Sequence, residues 1–160
     1  MSQKIIIFNP DECGGCRTCE MVCSWSHNIG VIRPSLSRVH VLKEEKEGLN
    51  FAVFCQQCEV PPCVEACPVD AMSKDKITGA ILINEEDCIG CKLCFRACHL
   101  GAIGIDTDKK IMIKCDLCGG NPQCVKWCPR GALSYVRPEI ANLSKQRSMF
   151  ESHIFDGYFS

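Results

Sequence analysis

The chain has 160 residues, sixteen of them cysteine and eleven aromatic, with a formal charge of −1. A chain that is one-tenth cysteine is held by covalent or metal cross-links, and with so few large apolar groups it folds poorly without them. A net charge of −1 shows none of the strongly basic balance that favours nucleic-acid binding, and no apolar run approaches the roughly 18–20 residues that cross a bilayer.

Residues 1–10, MSQKIIIFNP, carry a short apolar run without a basic n-region, a long h-region or a twin-arginine pair. A signal peptide is therefore not expected, and a soluble cytoplasmic protein is, although export on a partner's signal stays compatible with these residues. Residues 5–8 form the first strand candidate. Cys13, Cys16, Cys19 and Cys23 follow, separated by two, two and three residues. Three thiolates so spaced can converge on one small cubane, because two residues between ligands make a tight loop, and Gly14 and Gly15 lower the cost of the turn. The fourth cysteine lies about one helical turn further on, facing away toward a neighbouring cluster.

Residues 38–54 read as a β-hairpin whose strands flank the charged, solvated turn 43–48, with a docking rim as a further reading. Residues 52–54 lead into the second group, Cys55, Cys58, Cys63 and Cys67, with Pro68 next. A strand candidate at 80–83 precedes the third group, Cys88, Cys91, Cys94 and Cys98, which repeats the spacing of the first. Gly90 fills the first turn there. Another strand candidate, 111–113, precedes the fourth group, Cys115, Cys118, Cys124 and Cys128, which is followed by Pro129. The first and third groups match the bacterial ferredoxin run, and the second and fourth are looser versions of it. Cys98-His99-Leu100-Gly101-Ala102-Ile103 and Cys128-Pro129-Arg130-Gly131-Ala132-Leu133 share a C-x2-G-A-apolar ending, and Cys67-Pro68-Val69-Asp70-Ala71-Met72 keeps most of it. Duplication of one unit explains the recurrence. Pro138 is placed to start a helix toward Phe150, and Phe150, Phe155, Tyr158 and Phe159 crowd the last eleven residues, suited either to packing on the body or to docking.

Other uses of sixteen cysteines fit less well. A disulfide framework calls for an oxidising compartment, structural zinc usually takes two separated cysteine pairs, and a redox thiol pair needs a thioredoxin-like βαβ context that is absent. Four oxidised [4Fe-4S] cores bound by sixteen thiolates would bring the holo chain to about −9, again unfavourable for nucleic acid. Arg17, Lys92, Arg96, Lys114, Lys126 and Arg130 lie within or beside the cysteine groups, where they either offset cluster charge or sit as solvated surface residues. With every cysteine used as a ligand, no iron keeps an open position for substrate. There is no dinucleotide or P-loop motif, and His27, His40, His99 and His153 show no ligand or nucleophile pattern. The chain is expected to relay electrons, not to catalyse on its own. A cluster-based regulator and a structural zinc module are the rival readings.

The four groups, in this order and spacing, resemble the four-cluster ferredoxin-type subunits of molybdenum and tungsten pyranopterin enzymes, some hydrogenases and carbon monoxide dehydrogenases, over residues 5–136. The resemblance implies an α+β fold of duplicated ferredoxin-like units. The body would occupy 1–136, with an inner unit at 52–104, an outer unit at 5–37 plus 111–136, and a hairpin insertion at 38–54; 137–160 would be a C-terminal helix and tail. It also implies nested ligand sets: Cys13, Cys16, Cys19 and Cys128 (first set); Cys23, Cys115, Cys118 and Cys124 (second); Cys55, Cys58, Cys63 and Cys98 (third); Cys67, Cys88, Cys91 and Cys94 (fourth). Spacing alone leaves open the other pairing, group one with two and three with four. Relatives with a three-iron cluster carry tryptophan in the third group, whose cysteines are intact here, so four [4Fe-4S] clusters are expected. His99 replaces a proline common in relatives and reads as a surface histidine.

Segment 13–41, CGGCRTCEMVCSWSHNIGVIRPSLSRVHV, looks most like the small iron-sulfur subunits of tungsten aldehyde oxidoreductases and related benzoyl-coenzyme A reductases. That likeness implies an anaerobic electron-transfer role beside a large pyranopterin-containing catalytic subunit, with a flavin- or ferredoxin-type redox partner and repeated copies in a larger assembly as further expectations. Hydrogenase, formate and carbon monoxide dehydrogenase partners are the alternatives.

Overall fold

A computed structural model describes residues 3–28 and 30–139. Of the expected helix from Pro138 to Phe150, Pro138 and Glu139 are described and are helical; the rest of it and the aromatic tail lie outside the described residues.

Among the described residues, eight short strands form four separate two-stranded antiparallel ribbons. The β-branched run of β1 (Ile5–Phe8) pairs with β8 (Leu133–Val136), Ile5 opposite Val136, so the two ends of the body close on each other. Next come β2 (Val39–Glu44) and β3 (Leu49–Phe54), paired from Val39 opposite Phe54 to Glu44 opposite Leu49. This is the expected hairpin with its charged turn exposed. It is also more than a rim: alternation along both strands turns Val39, Val41, Ala52 and Phe54 into the core, none above 4% exposed. The remaining ribbons are β4 (Met72–Lys74) with β5 (Ile81–Ile83) and β6 (Ile103–Asp106) with β7 (Ile111–Lys114). The β6–β7 ribbon crosses the junction expected between the inner unit 52–104 and the outer segment 111–136, tying the two together by backbone hydrogen bonds.

The strands entering each cysteine group lie within two or three residues of their expected positions. Strands β4, β6 and β8, which leave the second, third and fourth groups, were not expected. Each follows the C-x2-G-A ending, where the third residue after the last cysteine is left-handed: Asp70 (φ 51), Gly101 (φ 61) and Gly131 (φ 67). Aspartate is one of the few non-glycine residues that tolerate that region, which is why the ending survives at Asp70 without its glycine.

Within residues 3–136, four α-helices follow the same plan. They are α1 (Thr18–His27), α2 (Pro62–Glu65), α3 (Leu93–Ala97) and α4 (Gln123–Lys126). Pro62 starts α2 and Pro122 precedes α4, the helix-entry positions where a missing N–H costs nothing. Helix α1 packs against α4, and α2 against α3, so the first group faces the fourth and the second faces the third. Two apolar cores result. Ile6, Val39, Val41, Phe54, Leu117 and Leu133 build one, and Met72, Ile81, Ile103 and Met112 the other. Among the described residues no helix is long and apolar enough to cross a membrane.

Candidate metal centres

One backbone device recurs in all four cysteine groups. The second residue after the first cysteine takes a left-handed conformation in each: Gly15 (φ 63), Gln57 (φ 51), Gly90 (φ 64) and Leu117 (φ 58). That reversal folds the loop so that cysteines three apart face one point. At Gly90 it admits nothing larger, since an added Cβ would stand 2.1 Å from the Lys110 carbonyl oxygen. In the first and third groups Arg17 (φ 59) and Lys92 (φ 64) repeat the reversal and start α1 and α3. Those helices carry the third cysteines, Cys19 and Cys94, inward, and α1 places Cys23 one turn on.

Three cavities are lined by four thiols each. Cys13, Cys16, Cys19 and Cys128 share one of about 380 Å3, counting its mouth open to solvent, with Phe8, Val41, Ala52 and Leu133 as apolar wall. Cys23, Cys115, Cys118 and Cys124 line a second, of about 320 Å3, under Ile6 and Phe54. Cys67, Cys88, Cys91 and Cys94 line a third, of about 310 Å3, beside Met72, Ile83 and Met112. Each draws on two sequence groups, the first with the fourth or the second with the third. For the remaining cysteines, burial pushes the Cys63 thiol up, Lys114 opposes the rise, and the charges of Cys55 and Cys98 add to it. Cys58 is half-buried on the same loop as Cys55.

These pockets suit soft, thiolate-bound metal. Burial pushes the Cys19 and Cys115 thiols up to about 12 and Cys94 to about 11, and raises Cys124 further, with neighbouring thiolates adding to each rise. Four such groups ionise together only around a compensating cation, and metal ligation releases their protons. Backbone amides also aim at sulfur: Arg38 N–H at Cys23 Sγ (3.3 Å), Gln57 N–H at Cys55 Sγ (3.4 Å) and Ala102 N–H at Cys98 Sγ (3.4 Å). Hydrogen bonds of this kind tune iron-sulfur potentials.

A charged network not visible in the sequence closes the second set's cavity. His27 Nδ1 lies 2.8 Å from the Cys23 carbonyl oxygen, and its Nε2 lies 3.1 and 3.2 Å from the two Asp116 oxygens. Both partners can only accept, so both ring nitrogens donate and the ring is an imidazolium. Burial opposes that charge, but the Asp116 carboxylate together with the Cys118 and Cys23 sulfurs outweighs it and raises the His27 pKa to about 12. Arg38 Nη1 donates to Asp116 Oδ2 at 2.6 Å, and the Cys118 amide donates to Oδ1 at 2.9 Å. Burial pushes the Asp116 carboxyl up, yet His27 and Arg38 together hold it well below the usual range. His27, Asp116 and Cys118 also converge as metal-ligating atoms would, but they belong to this same site. Residues 27 and 116 are 89 apart, so the only local signal is Asp116 itself, in position to cap the 3-10 turn Leu117–Gly120.

Of the six basic residues near cysteines, Arg17, Lys92, Arg96, Lys126 and Arg130 are exposed and only Lys114 is buried. His99 is exposed, as a surface histidine should be.

Residues 47–137 match the 4Fe-4S dicluster domain family. The polyferredoxin-like subunit of an aliphatic sulfonate oxidoreductase from Pyrococcus furiosus is 47% identical over 77% of this chain and 70% of its own length. The electron transport protein HydN of Escherichia coli is 36% identical over 90% of this chain and 94% of its own. Among solved structures, a chain of the active site complex BamBC of benzoyl coenzyme A reductase with benzoyl-CoA aligns at a TM-score of 0.52 and 28% identity, covering 100% of this chain and 99% of the other. The resemblance read from the cysteine groups and from segment 13–41 is thus borne out by kinship, with relatives named as electron carriers or oxidoreductase subunits. The chain belongs to the 4Fe-4S dicluster domain family and is an iron-sulfur electron-transfer subunit, homologous to subunits of oxidoreductase complexes and not catalytic on its own.

Proposed function

We propose that the chain binds four [4Fe-4S] clusters through the four nested cysteine sets and relays single electrons between a large tungsten or molybdenum pyranopterin subunit of the aldehyde-oxidising type and a second redox partner. The observation that carries this reading is the lining of three cavities by four thiols each, every cavity combining two sequence groups in nested order. When bound, each cluster accepts and releases one electron.

The chain's own residues supply the rest. Ile6, Phe54, Met72 and Ile83 keep water from the thiols. Adjacent sets share helices: α1 carries Cys19 and Cys23 into the first and second, α2 carries Cys63 toward the third with Cys67 just beyond it, and α3 carries Cys94 with Cys98 just beyond. Gln57, whose amide aims at Cys55 Sγ and whose side chain donates to the Cys115 carbonyl, adjoins the second set to the third, and the order first, second, third, fourth is then a single file. Cys16 and Cys91, of the first and fourth sets, are the exposed cysteines, which gives the file two surface ends. Two ends serve a catalytic subunit on one side and a flavin- or ferredoxin-type carrier, or a further copy of the complex, on the other. In this reading 52–104 is the inner unit and 5–37 with 111–136 the outer one. The pyranopterin partner rests on the likeness of segment 13–41, and kinship to oxidoreductase subunits supports it.

Anaerobic purification of the chain with its native partner tests the reading. Near sixteen irons and sixteen acid-labile sulfides per chain, with tungsten or molybdenum in the copurified subunit, are expected. Zinc in a colourless chain, or eight irons, would overturn the four-cluster assignment, and a partner without a pyranopterin would overturn that half alone.

A further inference from the structure

We propose that Lys114 carries a fixed positive charge at the junction of the second and third cysteine sets and raises the reduction potentials of the two inner clusters; the inference rests on the four-cluster reading above. Lys114 ends β7 immediately before Cys115 and is 3% exposed. Its Nζ donates to the Ile81 carbonyl (2.5 Å), the Cys115 carbonyl (2.9 Å) and Gln57 Oε1 (3.4 Å). Three acceptors take three protons, which only an ammonium has. All three are neutral. Among the described residues, no carboxylate forms a salt bridge with Lys114.

An ammonium taken from water into a protein interior without an anion is strongly disfavoured. The negative charge within reach is that of ligand thiolates. Cys115, of the second set, is the next residue. Gln57 connects to the third: its amide N–H aims at Cys55 Sγ, its Nε2 donates to the Cys115 carbonyl at 2.9 Å, and its Oε1 receives both Lys114 and the Ile81 amide. The left-handed backbone at Gln57 (φ 51) aims its amide at sulfur while its side chain reaches back to the lysine. One buried cation therefore touches the ligand frameworks of both inner sets, at the step between the two halves of the file. Reduction adds a negative charge to a cluster, and a nearby cation in a medium of low polarity favours the reduced form. The exposed basic residues, screened by water, exert little of this effect.

The test is an EPR-monitored redox titration of the anaerobically purified holo chain with Lys114→Gln, which keeps hydrogen-bond donors and loses the charge, and Lys114→Arg, which keeps the charge. In Lys114→Gln, the reduced-to-oxidised ratio of two of the four clusters should fall at least tenfold at a fixed ambient potential, about 59 mV for one electron, while the other two stay unchanged. Lys114→Arg should stay close to the wild type. Unchanged potentials in Lys114→Gln, or an equal shift in both variants, would overturn the proposal. If Lys114→Gln loses iron while Lys114→Arg keeps it, the charge is needed and the proposal stands; equal loss from both would show a packing role and overturn it. A wild-type chain holding fewer than four clusters would instead sink the underlying assignment, so the two failures are distinguishable.

Discussion

Replacing Asp116 by asparagine leaves the shape of the site almost intact and removes the one anion between His27 and Arg38. The side chains involved are 14%, 15% and 28% exposed for His27, Arg38 and Asp116, so water offers only partial relief. His27 loses the strongest of the partners that hold it charged, the Cys118 and Cys23 sulfurs being the others, and can shed its proton. Arg38 cannot, so one poorly compensated cation remains. Breaking a buried pair from one side costs about 3–5 kcal/mol, and partial exposure with thiolates nearby puts this case at the lower end, about 3 kcal/mol. For a domain of this size that is a fall of about 6–12 °C in the apparent melting midpoint. The assay is anaerobic melting of the holo chain followed by visible absorbance at one fixed scan rate. Asp108→Asn is the control, because Arg33–Asp108 is a surface pair at 41% and 62% exposure and such pairs contribute about 0–1 kcal/mol. Equal midpoints for Asp116→Asn and Asp108→Asn would refute the reasoning.

Two further substitutions examine the cysteine loops and the nesting. Gly90→Ala forces a Cβ against the Lys110 carbonyl in a left-handed residue and should cost more than about 2 kcal/mol and strip iron from the fourth set, whereas Gly131→Ala, with open space around its Cβ, should keep all its iron. Iron per chain reads both, and full loading of Gly90→Ala would refute the steric argument. Nesting predicts that Cys19→Ala and Cys128→Ala abolish the same EPR signal, distinct from the one lost in Cys23→Ala and Cys124→Ala. If Cys19→Ala instead matched Cys67→Ala, the groups would pair in sequence order.

The cysteine loops were legible because ligand spacing is a local property: two residues between cysteines and a glycine in the turn report geometry within one stretch of chain. The 38–54 hairpin was legible for the same reason, its alternation and charged turn lying side by side. Strands β4, β6 and β8 were missed because Ser73, Gly104 and Ser134 break the unbroken apolar run that marks the equally short β1, β5 and β7, and three or four residues are too few for alternation to show. The six basic residues near cysteines look alike in sequence, and only tertiary packing singles out Lys114 as buried. Arg38, Asp116 and His27 escaped notice because 78 and 89 residues separate the partners.

The pairing of Ile5 with Val136 makes order of synthesis matter. A nascent chain that has emerged as far as Cys98 already displays every cysteine proposed for the third and fourth sets. It displays only four of the eight proposed for the first and second, and strand β1 then has no edge to lie against. In that nesting the inner half can mature while the chain is still being made, whereas Cys23 waits for Cys115, Cys118 and Cys124, and Cys13, Cys16 and Cys19 wait for Cys128. A cell that makes this protein therefore needs its cluster-delivery machinery to engage the N-terminus early or to act only after release.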